Sequence, residues 1–369
     1  LNEDSHDKKY SYTLPAITFS NFIKKFNQSI NLNNNFSAKN LGEDINQIQQ
    51  TNQIEIVSDL KKIKLVNGMG NIFKTAVKNI NVYNENVENA KENLNVDSYL
   101  TLAMENSYPL VKYSNKNKTE QTISPIVFSK YTSGSMSNSS TSDKKLTYED
   151  TFSMDRNNSI TNPETGTNVG YGVEYNINKK DLDNNIYLDA KFSIGQILKN
   201  KKLKEMPNNS SLQEKKSDYV GKSSFKINSE KFNNGEFSID YNYILNNDFN
   251  ALLRNDIAAS FNNNDSSFAL TFYEESKIGN SHYMQADYQK KFDNNLSFAI
   301  GARRNLQEDF SESNYIGGNY ESDCLKIGLK LAKVFYQDEE LKPSNNLTFS
   351  IELKPFGAPV SPDLSSFVN

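Results

Sequence analysis

The sequence predicts an all-β fold of antiparallel strands and, within that class, a transmembrane β-barrel. Three observations carry the prediction. Large apolar side chains recur at every second position, as in Val169, Tyr171, Val173, Tyr175 and Ile177, which is the period of a strand with two unlike faces. Only 36% of the 369 residues are hydrophobic and Trp is absent, while Phe (22) and Tyr (20) are plentiful, a balance that suits strand surfaces better than a large α/β core. Finally, short connections at 115–119, 179–184, 229–235, 263–265 and 292–294 roughly take turns with mostly longer ones at 132–166, 198–218, 275–280 and 305–317. In an antiparallel meander that rhythm puts tight turns at one end and long loops at the other, as in outer-membrane barrels. The connection 247–250 is too short for its place in the series, and a soluble β-sandwich or β-helix shares the same period.

Taken in order, the pattern predicts about sixteen strands, near 10–20, 27–38, 51–59, 72–83, 98–114, 120–131, 167–178, 185–197, 219–228, 236–246, 251–262, 266–274, 281–291, 295–304, 318–335 and 346–354. The alternation is clearest in Ile186, Leu188, Ala190, Phe192, Ile194, in Phe237, Ile239, Tyr241, Tyr243, Leu245, and in Leu296, Phe298, Ile300, Ala302. Several of these segments reach the roughly 9–11 residues with which a tilted strand crosses an apolar layer. No apolar run approaches the ~18 residues of a spanning helix. Runs of Asn (NNN, NND, NNS) are assigned to turns. Within 132–166 the first half is expected to be a mobile, polar, low-complexity linker. The second half mixes apolar residues, charges and a turn signal, and is expected to fold over something. The opening LNEDSHDKKY lacks the features of an export signal, which suggests a piece of a longer precursor.

Little in the sequence points to chemistry. Two histidines (His6, His282) and one cysteine (Cys324) cannot complete a four-ligand zinc site. The segment Asp181, Leu182, Asp183, Asn184, Asn185 begins like a calcium loop, but Ile186 stands where such a loop needs Gly, so an Asx turn is expected. Nucleophile and nucleotide motifs are missing, so neither catalysis nor a cofactor is expected. The net charge of -4 gives no sign of nucleic-acid binding. Lys199, Lys201, Lys202 and Lys204 form a basic cluster, either a solvated loop or an attractor of phosphate groups. Arg303 and Arg304 end a strand and would project to opposite faces. Cys324 is a buried or free thiol, or pairs with a cysteine outside this sequence.

Four segments carry a family resemblance. NYESDCLKIGLKLAKVFYQDEELKPSNNLTFSIELKPFG (319–357), ENSYPLVKYSNKNKTEQTISPIV (105–127), YEDTFSMDRNNSITNPETGTNVGYGVEYNI (148–177) and KSDYVGKSSFKI (216–227) resemble, in the same order, the LptD family of outer-membrane lipopolysaccharide-assembly proteins. The opening SYTLPAITFS fits the same pattern, while Asn162 and Pro163 depart from a charged pair found there in the family. The resemblance implies that residues 1–354 are the C-terminal portion of an incomplete barrel, followed by a tail at 355–369. It implies lipopolysaccharide translocation through a lumen and a lateral gate, without catalysis. Its implied partners are lipopolysaccharide, an LptE-like lipoprotein plug, an LptA-like periplasmic bridge and the outer membrane. The last strand, with Leu347, Phe349, Ile351 and Leu353 between Pro343 and Pro355, would form one side of the gate. Glu174, Asn176, Asp189 and Lys191 would face the lumen, and Cys324 would form a disulfide with a partner upstream. The alternatives are a porin-like or ligand-binding outer-membrane barrel and a soluble β-rich adhesin.

Overall fold

The computed structural model describes residues 12–25, 28–42, 45–59, 68–87, 93–116, 118–140, 142–157, 162–181, 186–229, 235–277, 281–292, 295–335 and 343–353. They form one 18-stranded sheet. Its strands are β1 (Tyr12–Lys25), β2 (Gln28–Gly42), β3 (Ile45–Asp59), β4 (Gly70–Glu85), β5 (Asn93–Ser107), β6 (Leu110–Ser114), β7 (Thr119–Thr132), β8 (Gly166–Lys180) and β9 (Ile186–Lys199). They continue as β10 (Tyr219–Ser229), β11 (Gly235–Leu245), β12 (Leu252–Asn262), β13 (Ser266–Glu275), β14 (Ser281–Lys291), β15 (Leu296–Asn305), β16 (Phe310–Glu321), β17 (Leu325–Val334) and β18 (Ser344–Leu353).

The two strands beyond the expected sixteen have physical causes. The segment expected at 98–114 is interrupted between β5 and β6 at Pro109, which has no N–H to donate, while Tyr108 N–H, bonded to Pro125 O at 3.1 Å, continues the register of β5 along β7. The segment expected at 318–335 begins too late. Phe310 to Glu321 is already a strand, but Ser, Asn and Gly fill half of its positions, so the apolar alternation that marks a strand is absent. A turn closed by Ser322 N–H to Leu325 O at 2.8 Å then separates β16 from β17. The Asn33, Asn34, Asn35 run lies inside β2, within the strand expected at 27–38, so the general assignment of Asn runs to turns does not hold there.

The chain divides into two compact units, the first Leu1–Leu110, Ile123–Glu174 and Ile194–Tyr219, the second Val111–Thr122, Tyr175–Ser193 and Val220–Asn369. In the first, antiparallel ladders run from β1 through β2, β3, β4 and β5 to β7. One sheet face there buries Thr51, Ile80, Tyr99, Ala103, Phe128 and Lys130, forming the core on which the 133–165 loop lies. In the second unit, antiparallel ladders run without interruption from β11 to β18.

These findings correct the expected incomplete transmembrane barrel. The architecture is a large antiparallel sheet, and within each unit, among the described residues, the ladders form an open run that does not close on itself. Period-two alternation specifies a strand with unlike faces, a property that open sheets and barrels share, and it carries no term for closure. No helix of the described residues is long and apolar enough to cross a membrane.

Candidate functional site

The most organised polar site lies beneath the long loop of the first unit. Glu164 and Arg156 come from the loop, Lys130 from β7 and Lys199 from the end of β9, and all four side chains are almost completely buried. Glu164 Oε2 accepts from Lys130 Nζ and Arg156 Nη1, both at 2.9 Å, and Lys199 Nζ lies 3.2 Å from Oε1. Arg156 also donates to the carbonyls of Asp150 (2.6 Å) and Thr151 (3.2 Å) and to Asn168 Oδ1 (2.8 Å). The guanidinium fork therefore joins the loop to β8. Burial alone would raise the Glu164 pKa, but Lys130, Arg156 and Lys199 outweigh it and hold the carboxyl well below its ordinary range.

Local sequence explains the seating. A short 3-10 turn at Glu149–Phe152 presses on β8 and β9, where glycines leave the backbone bare. A β-carbon on Gly170 would stand 1.9 Å from the Thr151 carbonyl oxygen, and one on Gly172 would meet Ile194 O at 2.7 Å and the Phe152 ring at 3.0 Å. The turn is fastened by Lys144 Nζ to Asp150 Oδ1 at 2.9 Å and by Tyr148 Oη to Glu174 Oε1 at 3.1 Å. Asp155 faces Lys78 of β4 at 3.6 Å. The loop's second half thus folds over the sheet, as expected from its composition. Its first half is held too: Asn162 exchanges hydrogen bonds with the Ser137 backbone at 2.8 and 2.6 Å. The departure at Asn162 therefore supplies a clamp in its own right.

Of the residues singled out in the sequence, Glu174 accepts the Tyr148 hydroxyl, and Asn176 is half-buried further along β8. Asp189 and Lys191, two apart on β9, pair with each other at 3.3 Å. Cys324 is a free, exposed thiol between β16 and β17, and as the chain's single cysteine it has no internal disulfide partner. Leu347, Phe349, Ile351 and Leu353 are exposed on β18 and pair with Leu331, Leu329, Ile327 and Leu325 of β17; Pro343 immediately precedes that strand, and Pro355 lies outside the described residues. Residues 182–185 of the calcium-like segment also lie outside them. The basic cluster divides: Lys199 is buried in the ionic site, Lys202 pairs with Glu214 at 2.6 Å, and Lys201 and Lys204 are exposed. Arg303 binds Glu312 and stacks over Tyr283 at 4.0 Å, whereas Arg304 pairs with Asp309 at 2.5 Å. Among the described residues no group of three or more His, Cys, Asp or Glu is placed to hold a metal ion.

Sequence reasoning missed Arg156, Lys130 and the glycines. The signal was present in Gly170 and Gly172, two apart on one side of a strand, because such glycines mark close backbone approach.

A second feature lies on the sheet itself. Phe237, Phe261, Phe268, Tyr288, Ile300, Ile316, Leu331 and Leu347 are directly paired, strand by strand, from β11 to β18. Six of them, from Phe268 to Leu347, are between 39% and 63% exposed. On the opposite face the same strands carry Ser238, Ser260, Asp287, Tyr315 and Asn346.

No family model and no curated protein sequence matches this chain. The resemblance to the LptD family is therefore corrected: its segments are short runs of strand and turn residues, which recur in β-proteins of unrelated function. With it falls lipopolysaccharide translocation through a lumen and lateral gate, since the described ladders enclose no lumen in either unit. The porin-like alternative needs the same lumen. Integral outer-membrane localisation as a barrel loses its support for the same reason.

Proposed function

We propose that this chain is a non-catalytic β-sheet protein whose apolar face in the β11–β18 unit lies against lipid hydrocarbon. One observation carries the reading, the in-register row from Phe237 to Leu347, apolar in every strand and open on its outer side. Eight strands at about 4.8 Å spacing span roughly 34 Å, and side chains two residues above and below give a band about 14 Å tall. That band is on the order of 500 Å² before side-chain relief is counted; Lys290 and the Asn314, Lys333, Asn345 corner are polar, and the apolar remainder, about 300 Å² or more, is comparable to the largest patches that proteins ordinarily leave in water. Exposed to water such a face would drive association, and against acyl chains it is solvated by its own kind. The buried ionic cluster has a structural part here, fixing the loop over the other unit.

The test compares neighbouring positions on opposite faces. In a Cys324→Ser background, an environment-sensitive fluorophore on Ile316→Cys should be quenched by brominated acyl chains, and the same label on Ser313→Cys should not. Equal quenching at both positions, or a chain that stays monodisperse without detergent or lipid, would overturn the reading.

A further inference from the structure

On the same face, the apolar row meets a second row that changes character along its length. Ile239, Ala259, Leu270, Ala286 and Ala302 continue, pair by pair, into Asn314, Lys333 and Asn345. Where this row turns polar, a groove of about 670 Å³ opens over β15 to β18. Its wall on one side is Ile300, Ile316, Leu331 and Leu347, and on the other it is bounded by Ala302, Asn314, Lys333 and Asn345. At Ala302, which pairs with Ala286 and Asn314, the lining side chain is only a methyl. Its volume falls within the roughly 300–1,000 Å³ usual for small-molecule sites.

We propose that this groove binds an anionic amphiphile, its acyl chain along the Ile300–Leu347 row and its acidic head group at Lys333. This deepens the reading of the apolar face and rests on it. The chemistry is read from the border. Lys333 Nζ sits 4.6 Å over the Phe335 ring and, among the described residues, has no carboxylate partner, so its ammonium is available to an anion. Asn314 and Asn345, its direct cross-strand neighbours on either side, add amide donors to the same point. Below them the surface is mostly hydrocarbon. A ligand that is polar throughout would leave that floor wet, and a purely apolar one would desolvate an ammonium without compensation. An amphiphile with a negative head satisfies both ends.

The test titrates the purified chain, in a non-ionic detergent, with spin-labelled stearic acid and with its uncharged methyl ester, reading the immobilised fraction by electron paramagnetic resonance. The acid should bind more tightly than the ester. Lys333→Gln should weaken the acid roughly three- to tenfold and leave the ester unchanged. Ala302→Phe, which fills the depression from an exposed position, should weaken both. Inorganic phosphate should fail to displace the acid, which distinguishes a lipid head group from a free anion. The proposal is overturned if acid and ester bind alike, if Lys333→Gln leaves the acid unaffected, if Ala302→Phe affects neither, or if phosphate competes fully. Failure of these arms while the fluorophore on Ile316→Cys is still quenched removes the groove and leaves the lipid-facing sheet. Failure of both removes the underlying reading.

Discussion

Replacing Glu164 with Gln should release the long loop while leaving the sheet intact. The substitution keeps the shape and removes, among the described residues, the only carboxylate in contact with Lys130, Arg156 and Lys199 at 2.9, 2.9 and 3.2 Å. All three cations are buried, and stranding buried charges by deleting one partner costs about 3–5 kcal/mol. Two features make the upper half of that range the expectation: one carboxylate serves three cations, and a Gln amide turns its own donors toward them. The cost falls on the loop, because the chain can relieve it by letting Arg156 swing out to water. At about 1.4 kcal/mol per decade, amide exchange at Thr151 and Glu164, whose N–H groups bond Tyr148 O and Asp155 Oδ1 at 3.1 Å each, should accelerate between roughly 700-fold and 4,000-fold. Exchange in β12 to β14 should not change. Pairing Glu164→Gln with Lys130→Met should cost less than the two single changes summed, since the double variant leaves one fewer charge unmatched. Acceleration below about threefold, or an additive double variant, would refute the view that the cluster latches the loop.

Acid should do what the mutation does: the Glu164 carboxyl is held below its unfolded value of about 4.3, so its contribution is complete above that pH and is lost as pH falls through the folded value. Loop exchange measured down a pH series should therefore rise only on the acid side of about 4 once intrinsic exchange is divided out, and a rise centred near neutrality would contradict this. Gly170→Ala should be costly, about 2 kcal/mol or more, because its β-carbon meets the Thr151 backbone at 1.9 Å, while Gly221→Ala should cost less because the obstacle at 2.0 Å is the tip of the Tyr243 ring, which can rotate away. Paired thermal denaturation of the two variants checks the order. Cys324, exposed and free, should react with a maleimide in the native protein as completely as in denaturant, and protection would mean that its turn is covered.

Much of the strand inventory was legible, because the strands from β11 to β18, β16 apart, carry apolar residues at alternate positions and their partners are neighbours in sequence. The strand that escaped, β16, shows why the rest was hard. Gly317 and Gly318 take no part in an apolar alternation, yet they pair with Lys330 and Leu329 as regularly as any Phe, since backbone hydrogen bonds are indifferent to side chains. Closure and the nature of the surroundings were not legible at all, because neither is a property of any single strand. At the ionic site, Glu164 and Arg156 lie eight residues apart in a loop whose Asn, Ser and Pro content resembles any connection. What makes them a site is Lys130 from an earlier strand and Lys199 from a later one, a convergence that spacing within a window cannot express.

The asparagines of β2 carry the argument about the sheet one step further. In the first unit, the row Phe19, Asn34, Asn52, Asn79 and Ser98 crosses a face whose neighbouring row is Leu32, Ile54, Val77 and Leu100. Asn is a poor strand former, and amides among aliphatic side chains cost free energy unless each finds a partner. Here they find one another. Asn34 donates to Asn52, Asn52 to Asn79 at 3.4 Å, Asn81 to Asn79 at 2.8 Å, and Asn79 to Ser98 Oγ at 3.2 Å. A row that supplies donors and acceptors to itself across four strands leaves fewer of its amide groups for water to satisfy. Such a row is compatible with contact against hydrocarbon in a way that isolated amides are not, which is how a run of Asn can lie in the middle of a strand.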